Sequence, residues 1–184
     1  MRLDRLTHRW LSLDDGYYSL SLEDLCNLAV KLGAKTARIL RSEDIVIADW
    51  VRLKCMYGCG GYGERLTCPP YSPTPEETRR ILRSYEYCIL VEFLPEADIH
   101  RVMAGLEREA FLAGYYSAFA MAVGPCELCE ECTLKSCRYP EIARPSMEAC
   151  GIDVYATARK AGFDIKPLKS RRETPKYFGL LLVR

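Results

Sequence analysis

The segment CMYGCGGYGERLTCPP, residues 55–70, places three cysteines, four glycines and two prolines in one short stretch, the first cysteine loop. Within it, GCGGYG fits the G-x-G-x-x-G pattern of dinucleotide-binding turns. Such a turn needs a helix that begins at its glycines, because the helix N-terminus holds the pyrophosphate. Four prolines follow within residues 69–75, and one interior proline costs a helix about 3 kcal/mol. The segment therefore favours a metal-binding loop, in which glycine lets backbone N–H groups turn toward thiolate ligands.

A second cysteine-rich segment, GPCELCEECTLKSCRYPE, covers residues 124–141 and is termed the second cysteine loop. Its spacing, C-x2-C-x2-C-x4-C, is one residue longer than the iron–sulfur pattern C-x2-C-x2-C-x3-C-P. Zinc sites usually pair C-x2-C units across a longer arm, so the spacing favours a [4Fe–4S] cluster over zinc. Glu127, Glu130 and Glu131 stand between the cysteines, which argues against buried thiols on a core strand.

The sequence leaves the division of the cysteines between metal sites open. Cys137 could complete the site of the second loop, or it could ligate the other cluster, as in two-cluster ferredoxins. The first loop lacks a local fourth cysteine, which Cys137 or Cys150 could supply. A three-cysteine cluster with an open iron is a third alternative, and such an iron can act as a Lewis acid. The candidate metal ligands are Cys55, Cys59, Cys68, Cys126, Cys129, Cys132, Cys137 and Cys150.

Composition and charge narrow the class of protein. The chain has 184 residues, of which 49% are hydrophobic, so it can bury a core, and its net charge is +1. This balance predicts no broad attraction to nucleic acid or to an anionic membrane. Residues 1–10, MRLDRLTHRW, lack an apolar export-signal core, and no apolar run is long enough to span a membrane. We therefore expect a cytoplasmic protein, in which disulfides are rare and clustered cysteines point to metal ligation.

Hydrophobic periodicity and helix-start signals predict an α+β fold. We expect one domain over residues 1–184, with an N-terminal helix and strands in 1–50 and both cysteine loops in 51–184. The sheet should be mostly antiparallel with helices on one face, and a ferredoxin-like topology fits this pattern. A parallel α/β sheet is the alternative. The patterns predict helices at 22–33, 75–84, 98–114 and 146–162, and strands at 37–40, 45–53, 87–94, 116–123 and 176–183.

With both loops in hand, the chain resembles a family of predicted metal-binding proteins, a domain of unknown function found mainly in anaerobic bacteria and archaea. The resemblance covers residues 51–77, 124–165 and 176–183, and it includes C-x3-C-x8-C followed by PP and then C-x2-C-x2-C. In that family the gap to the next cysteine is often longer than the four residues before Cys137. The resemblance implies metal binding, with iron–sulfur preferred, and implies no particular reaction.

The sequence is compatible with three functions. The first is redox or electron transfer by a protein with one or two [4Fe–4S] clusters. The second is an enzyme with an open-coordination iron, such as a lyase or a sulfur-handling enzyme, and the third is a structural zinc scaffold. The expected partner is a redox protein or a small-molecule substrate, with no nucleic acid and no membrane.

Overall fold

The computed structural model describes residues 19–170 and 172–184. Residues 1–10, which carry the expectation about an export signal, lie outside the described part. No helix in the described ranges is long and apolar enough to cross a membrane. The helices are α1 (Leu22–Lys31), α2 (Trp50–Gly58), α3 (Pro75–Leu82), α4 (Ile99–Leu112) and α5 (Val154–Lys160), with short 3-10 helices at Ser42–Asp44 and Glu148–Cys150. The strands are β1 (Thr36–Arg41), β2 (Tyr87–Phe93), β3 (Phe119–Met121) and β4 (Tyr177–Leu182).

The four strands form one antiparallel sheet in the order β1-β2-β4-β3. This confirms the predicted α+β class with a mostly antiparallel sheet. Strands β2 and β3 both pair with β4, so they run parallel to each other, and α4 connects them in a split βαβ unit. A ferredoxin-like topology is not confirmed, because the chain runs α-β-α-α-β-α-β-α-β instead of β-α-β-β-α-β.

Side chains on β2 alternate between two apolar layers. Ile89, Val91 and Phe93 pack with α1 and α4 on one face of the sheet. Cys88 and Leu90 face a second cluster that includes side chains of α5 and of the 3-10 helix Glu148–Cys150. Alternation by two residues produces this division, and β2 is almost completely buried because it lies between β1 and β4. The sequence predicted helices on one face of the sheet only. In the described part of the chain, helices pack on both faces.

Two helices begin at the signals that the sequence shows. Ser21 caps α1 in a capping box with Asp24. Thr74 caps α3 in the same way with Glu77, and Pro75 occupies the first turn. Each arrangement satisfies backbone N–H groups that a helix N-terminus leaves free, and such a cap contributes about 1 kcal/mol. Both predicted helix starts are confirmed.

The predicted strand at 45–53 is wrong. Ile47 forms only an isolated bridge with Ile152, and α2 begins at Trp50. A tertiary contact fixes this helix: the Arg52 guanidinium donates to the Ala149 carbonyl at 2.7 Å and to the Pro73 carbonyl at 3.0 Å. Ile and Val favour strands, but this weak preference yields to long-range hydrogen bonds.

The predicted helix at 146–162 is interrupted. The chain makes the 3-10 helix Glu148–Cys150, turns at Gly151 and then starts α5. Gly151 has φ +80, and a Cβ there would lie 2.7 Å from Cγ of Pro75. Asp153 caps α5 by accepting a hydrogen bond from the Ala156 N–H at 2.9 Å. The left-handed turn at Gly151 ends the first segment, so the two helical segments are separate.

Candidate metal centre

The second cysteine loop leaves and rejoins the sheet edge at one place. Ala122, directly after β3, forms a parallel bridge with Ser146. The Ala122 N–H also donates to the Pro145 carbonyl at 2.8 Å. The chain between these residues is therefore closed at its base, and all four predicted ligands of the second loop lie inside it.

The four thiols of the second loop share one pocket. Three residues of the first loop complete its wall: Arg65, Leu66 and Thr67. The Arg65 guanidinium ties the loops together, because it donates to the Cys129 carbonyl at 2.8 Å and the Glu130 carbonyl at 3.1 Å. The structure thus brings together four residues grouped in the sequence: Cys126, Cys129, Cys132 and Cys137.

A largely buried ion pair anchors the C-terminal side of the second loop. Arg144 donates to both carboxylate oxygens of Glu107 on α4, at 2.7 and 2.6 Å. The two side chains are only 14% and 15% exposed. Glu107 also accepts the Ala120 N–H at 2.6 Å, and Arg144 donates to the Pro140 carbonyl at 2.9 Å. The loop, strand β3 and helix α4 therefore share one hydrogen-bonded network.

The three cysteines of the first loop line a second pocket. Cys55 lies on the last turns of α2, Cys59 follows directly after the helix, and Cys68 precedes the two prolines. Pro125 of the second loop and Glu148 line the same pocket. The structure thus brings the three first-loop cysteines to one pocket.

Gly61 keeps the space between two of these sulfurs clear. A Cβ at Gly61 would lie 3.2 Å from Cys68 Sγ, 3.6 Å from Cys59 Sγ and 3.0 Å from Cβ of Pro125. The backbone of Gly61 is not in the left-handed region. Glycine is therefore needed here because a side chain would not fit, and not because of the backbone conformation. Its N–H also points at Cys59 Sγ, at 3.4 Å. An open space bordered by sulfurs and a backbone N–H fits a thiolate-bound metal group.

We expect Gly61→Ala to weaken metal binding in the first loop. The added methyl group would occupy the space between Cys59 and Cys68 and press on Pro125. Iron or zinc bound per chain should fall at this site, by elemental analysis after anaerobic purification. Gly60→Ala is the matched control, because a Cβ there meets no described atom within 4 Å. Equal metal content in both variants would contradict this role for Gly61.

Cys150 lies in a different environment from the other predicted ligands. Its side chain is fully buried in the apolar cluster on the face of the sheet that packs against α5. Burial raises the pKa of its thiol to about 12, so deprotonation there is costly. Its backbone carbonyl accepts a hydrogen bond from the Thr78 hydroxyl at 2.8 Å. As a ligand, Cys150 stays a prediction, and its surroundings are those of a core residue.

The thiols of the loops differ in how easily they ionise. Burial raises the pKa of Cys55, Cys68 and Cys126. The pKa of Cys132 is lowered, chiefly by a hydrogen bond from the Leu134 N–H. Thiolates are the metal-binding form, so metal binding at the buried thiols would release protons.

Glu148 belongs to the site, although no sequence pattern points to it. It lines the first-loop pocket, and its Oε2 atom is buried without a hydrogen-bond partner among the described residues. Burial raises the pKa of this carboxyl group. Glu148 is far from the first loop in sequence, so only the fold brings it there.

The thiols share pockets but do not form a finished coordination shell. Among the described residues, no group of three or more His, Cys, Asp or Glu side chains is arranged to hold a metal ion directly. Metal binding would therefore require the thiols in each pocket to turn toward one another. A pocket with four thiols matches the soft ligands that iron–sulfur clusters take. The donor set therefore fits such a cluster.

Comparison with known proteins gives one family and no individual relative. Neither the curated proteins nor the solved structures contain a match to the chain. The profile of a family described as "Predicted metal-binding protein (DUF2284)" matches residues 38–183, a range that includes both cysteine loops. The chain belongs to this family of predicted metal-binding proteins.

Proposed function

We propose that the protein transfers electrons through a [4Fe–4S] cluster held by the second cysteine loop, with a second metal site in the first loop. The observation that carries the proposal is the shared pocket of the four second-loop thiols. A cubane cluster takes four cysteine thiolates. The ligands would be Cys126, Cys129, Cys132 and Cys137, and the cluster would supply a one-electron redox couple.

The surroundings of the second pocket support a redox role. The Leu134 N–H points at the Cys132 sulfur, and Arg65 and Arg138 bring positive charge near it. Hydrogen bonds to sulfur and nearby charge set the reduction potential of a cluster. Cationic groups favour the reduced, more negative state. Arg65 and Arg138 therefore favour electron uptake at this loop. Three neighbouring glutamates oppose it: Glu127, Glu130 and Glu131.

The two pockets meet at one point, which suits transfer between two sites. Pro125 lines the first pocket, and Cys126, the next residue, lines the second. The Cys126 N–H also stabilises the Cys68 thiolate, since it lowers the pKa of that thiol against the larger effect of burial. An electron could pass from one site to the other and on to a redox partner protein. This adjacency supports one or two clusters over a single isolated zinc ion.

Metal and sulfide analysis of anaerobically purified protein tests the proposal. We expect iron and acid-labile sulfide in equal amounts, up to about eight of each per chain if both sites hold cubanes. Visible absorption should bleach when dithionite is added. Zinc without sulfide would replace the proposal with a structural zinc scaffold.

An enzyme with an open iron is the second candidate. The first pocket, which is lined by three cysteines and Glu148, favours it. A metal position without a thiolate can bind a small-molecule substrate and polarise it. A small thiol or carboxylate added to the protein should then change the spectrum of the first-loop site. An unchanged spectrum would leave electron transfer as the function.

A further inference from the structure

We propose that the Glu148 carboxylate is the fourth ligand of the metal site in the first cysteine loop. The site would then have three thiolates, from Cys55, Cys59 and Cys68, and one carboxylate. This inference rests on the proposed function, because it names a ligand of the same site.

The first observation is an unsatisfied buried oxygen. Within the described ranges, Glu148 Oε2 is buried and has no hydrogen-bond partner. A buried, unpaired polar group is unfavourable by about 1–3 kcal/mol, and by more if it is charged. Glu148 is one of the residues that line the pocket shared by the three thiols of the first loop. A bound cation would remove this penalty, since buried charges in proteins are paired or coordinate metals.

The second observation is that the backbone around Glu148 is held in place. The next carbonyl, that of Ala149, accepts hydrogen bonds from Arg52 and from the Ser72 hydroxyl, both at 2.7 Å. The Ala149 N–H donates to the Ser146 hydroxyl at 3.1 Å. Arg52 is on α2, the helix that carries Cys55. These contacts fix Glu148 relative to the first thiol of the site.

The distance between the two segments is short. The Cys55 sulfur lies 3.9 Å from the Glu148 carbonyl oxygen. A ligand set on a rigid backbone loses little entropy when it binds a metal. The Glu148 backbone therefore lies beside the first thiol of the site and is held there, which leaves only the side-chain torsions free to bring the carboxylate to a metal.

The two cysteines that the sequence offered as fourth ligands are engaged elsewhere. Cys137 lines the second pocket together with the other three thiols of its own loop. Cys150 is fully buried in the apolar cluster on the face of the sheet that packs against α5. Glu148 is the acidic residue that lines the first pocket. It therefore fills the ligand position that the first loop lacks.

A carboxylate changes what the site can do. A carboxylate is a harder ligand than a thiolate. It therefore binds the iron of a cluster less strongly than a cysteine sulfur does. The iron bound by Glu148 would differ from its three thiolate-bound neighbours. That iron is where a small thiol or carboxylate ligand would exchange with the protein.

The experiment compares Glu148→Gln with Glu127→Gln, a matched change at an exposed glutamate between the second-loop cysteines. Both variants are reconstituted anaerobically with iron and sulfide. We expect Glu148→Gln to lose about one iron per chain, the one without a thiolate ligand. After mild oxidation it should show the EPR signal of a three-iron cluster. Glu127→Gln should match the parent protein.

Each other outcome has a defined meaning. If Glu148→Gln keeps the parent's iron content and EPR spectrum while Cys55→Ser loses iron, Glu148 is not a ligand. Iron loss in Cys150→Ala without loss in Glu148→Gln would also overturn the inference. If Glu148→Gln does not fold, Mössbauer spectra of the parent decide: one distinct iron supports the inference, and uniform irons overturn it. A parent without iron or sulfide would instead refute the proposed function.

Discussion

Replacing Cys129 with serine is expected to remove the metal group that we propose for the second cysteine loop and to lower the melting temperature. Cys129 lines the shared pocket, and a hydroxyl group is a poor substitute for a soft thiolate. Metal binding contributes directly to folding free energy where ligands come from a loop. If both loops hold cubanes, iron and sulfide per chain should fall by about half. Elemental analysis and thermal melting measure the two effects.

The control for this variant is Cys26→Ser. Cys26 lies on α1, part of the helical layer on one face of the sheet, and packs against that layer's apolar cluster. Burial raises the pKa of its thiol to about 11. Its replacement should leave iron and sulfide at the parent level. Unchanged metal content and melting temperature in Cys129→Ser would count against a cluster in the second loop.

Glu107→Ala should produce the largest loss of stability among the substitutions considered. It would leave the Arg144 guanidinium largely buried without its carboxylate, and the Ala120 N–H without its acceptor. Removing one partner of a buried ion pair typically costs about 3–5 kcal/mol. Chemical denaturation should show this decrease in the free energy of unfolding. The second loop should also bind its metal less tightly, since Arg144 anchors its C-terminal side.

An exposed ion pair provides the comparison. Arg41 and Glu43 contact each other at 2.8 Å, but their side chains are 49% and 71% exposed. Glu43→Ala should therefore change the free energy of unfolding little, because water and salt screen such pairs. Similar losses from Glu43→Ala and Glu107→Ala would show that burial of the Glu107–Arg144 pair is not what stabilises this region.

Local signals predicted the parts of the fold that local chemistry determines. The capping boxes at Ser21 and Thr74 are complete within four residues, so the sequence alone identifies the starts of α1 and α3. Strand β2 was predicted because its apolar run is continuous and rich in Ile, Leu and Val. Side chains of such a strand are buried on both faces, as the structure shows.

The failures occur where distant residues control the backbone. Helix α2 depends on Arg52, whose partners Pro73 and Ala149 lie in other segments. The Gly151 turn depends on close contact with Pro75. Neither contact leaves a pattern in its own stretch of sequence, so Ile and Val suggested a strand and Ser146 suggested an unbroken helix.

In the candidate site, too, sequence predicted the residues that share a local pattern and missed those that only the fold brings together. The spacing of the cysteines in the second loop predicted four metal ligands, and the structure places these four residues in one pocket. Gly61 was recognisable as a loop glycine, but the sulfurs around it were not. Glu148 had no signal, because a single glutamate gains meaning only from its burial beside the first loop.

The closed base of the second loop has a consequence for how the protein matures. Ala122 and Ser146 meet at the sheet edge, so the segment between them could open while every strand remains paired, once its contacts with Glu107 and Arg65 break. Opening of this kind requires only local free energy, which is smaller than that of global unfolding. If the loop holds the proposed cluster, iron and sulfide could therefore be delivered to a chain that has already folded. Damage by oxygen would then empty the loop without destroying the framework, and the same polypeptide could be refilled.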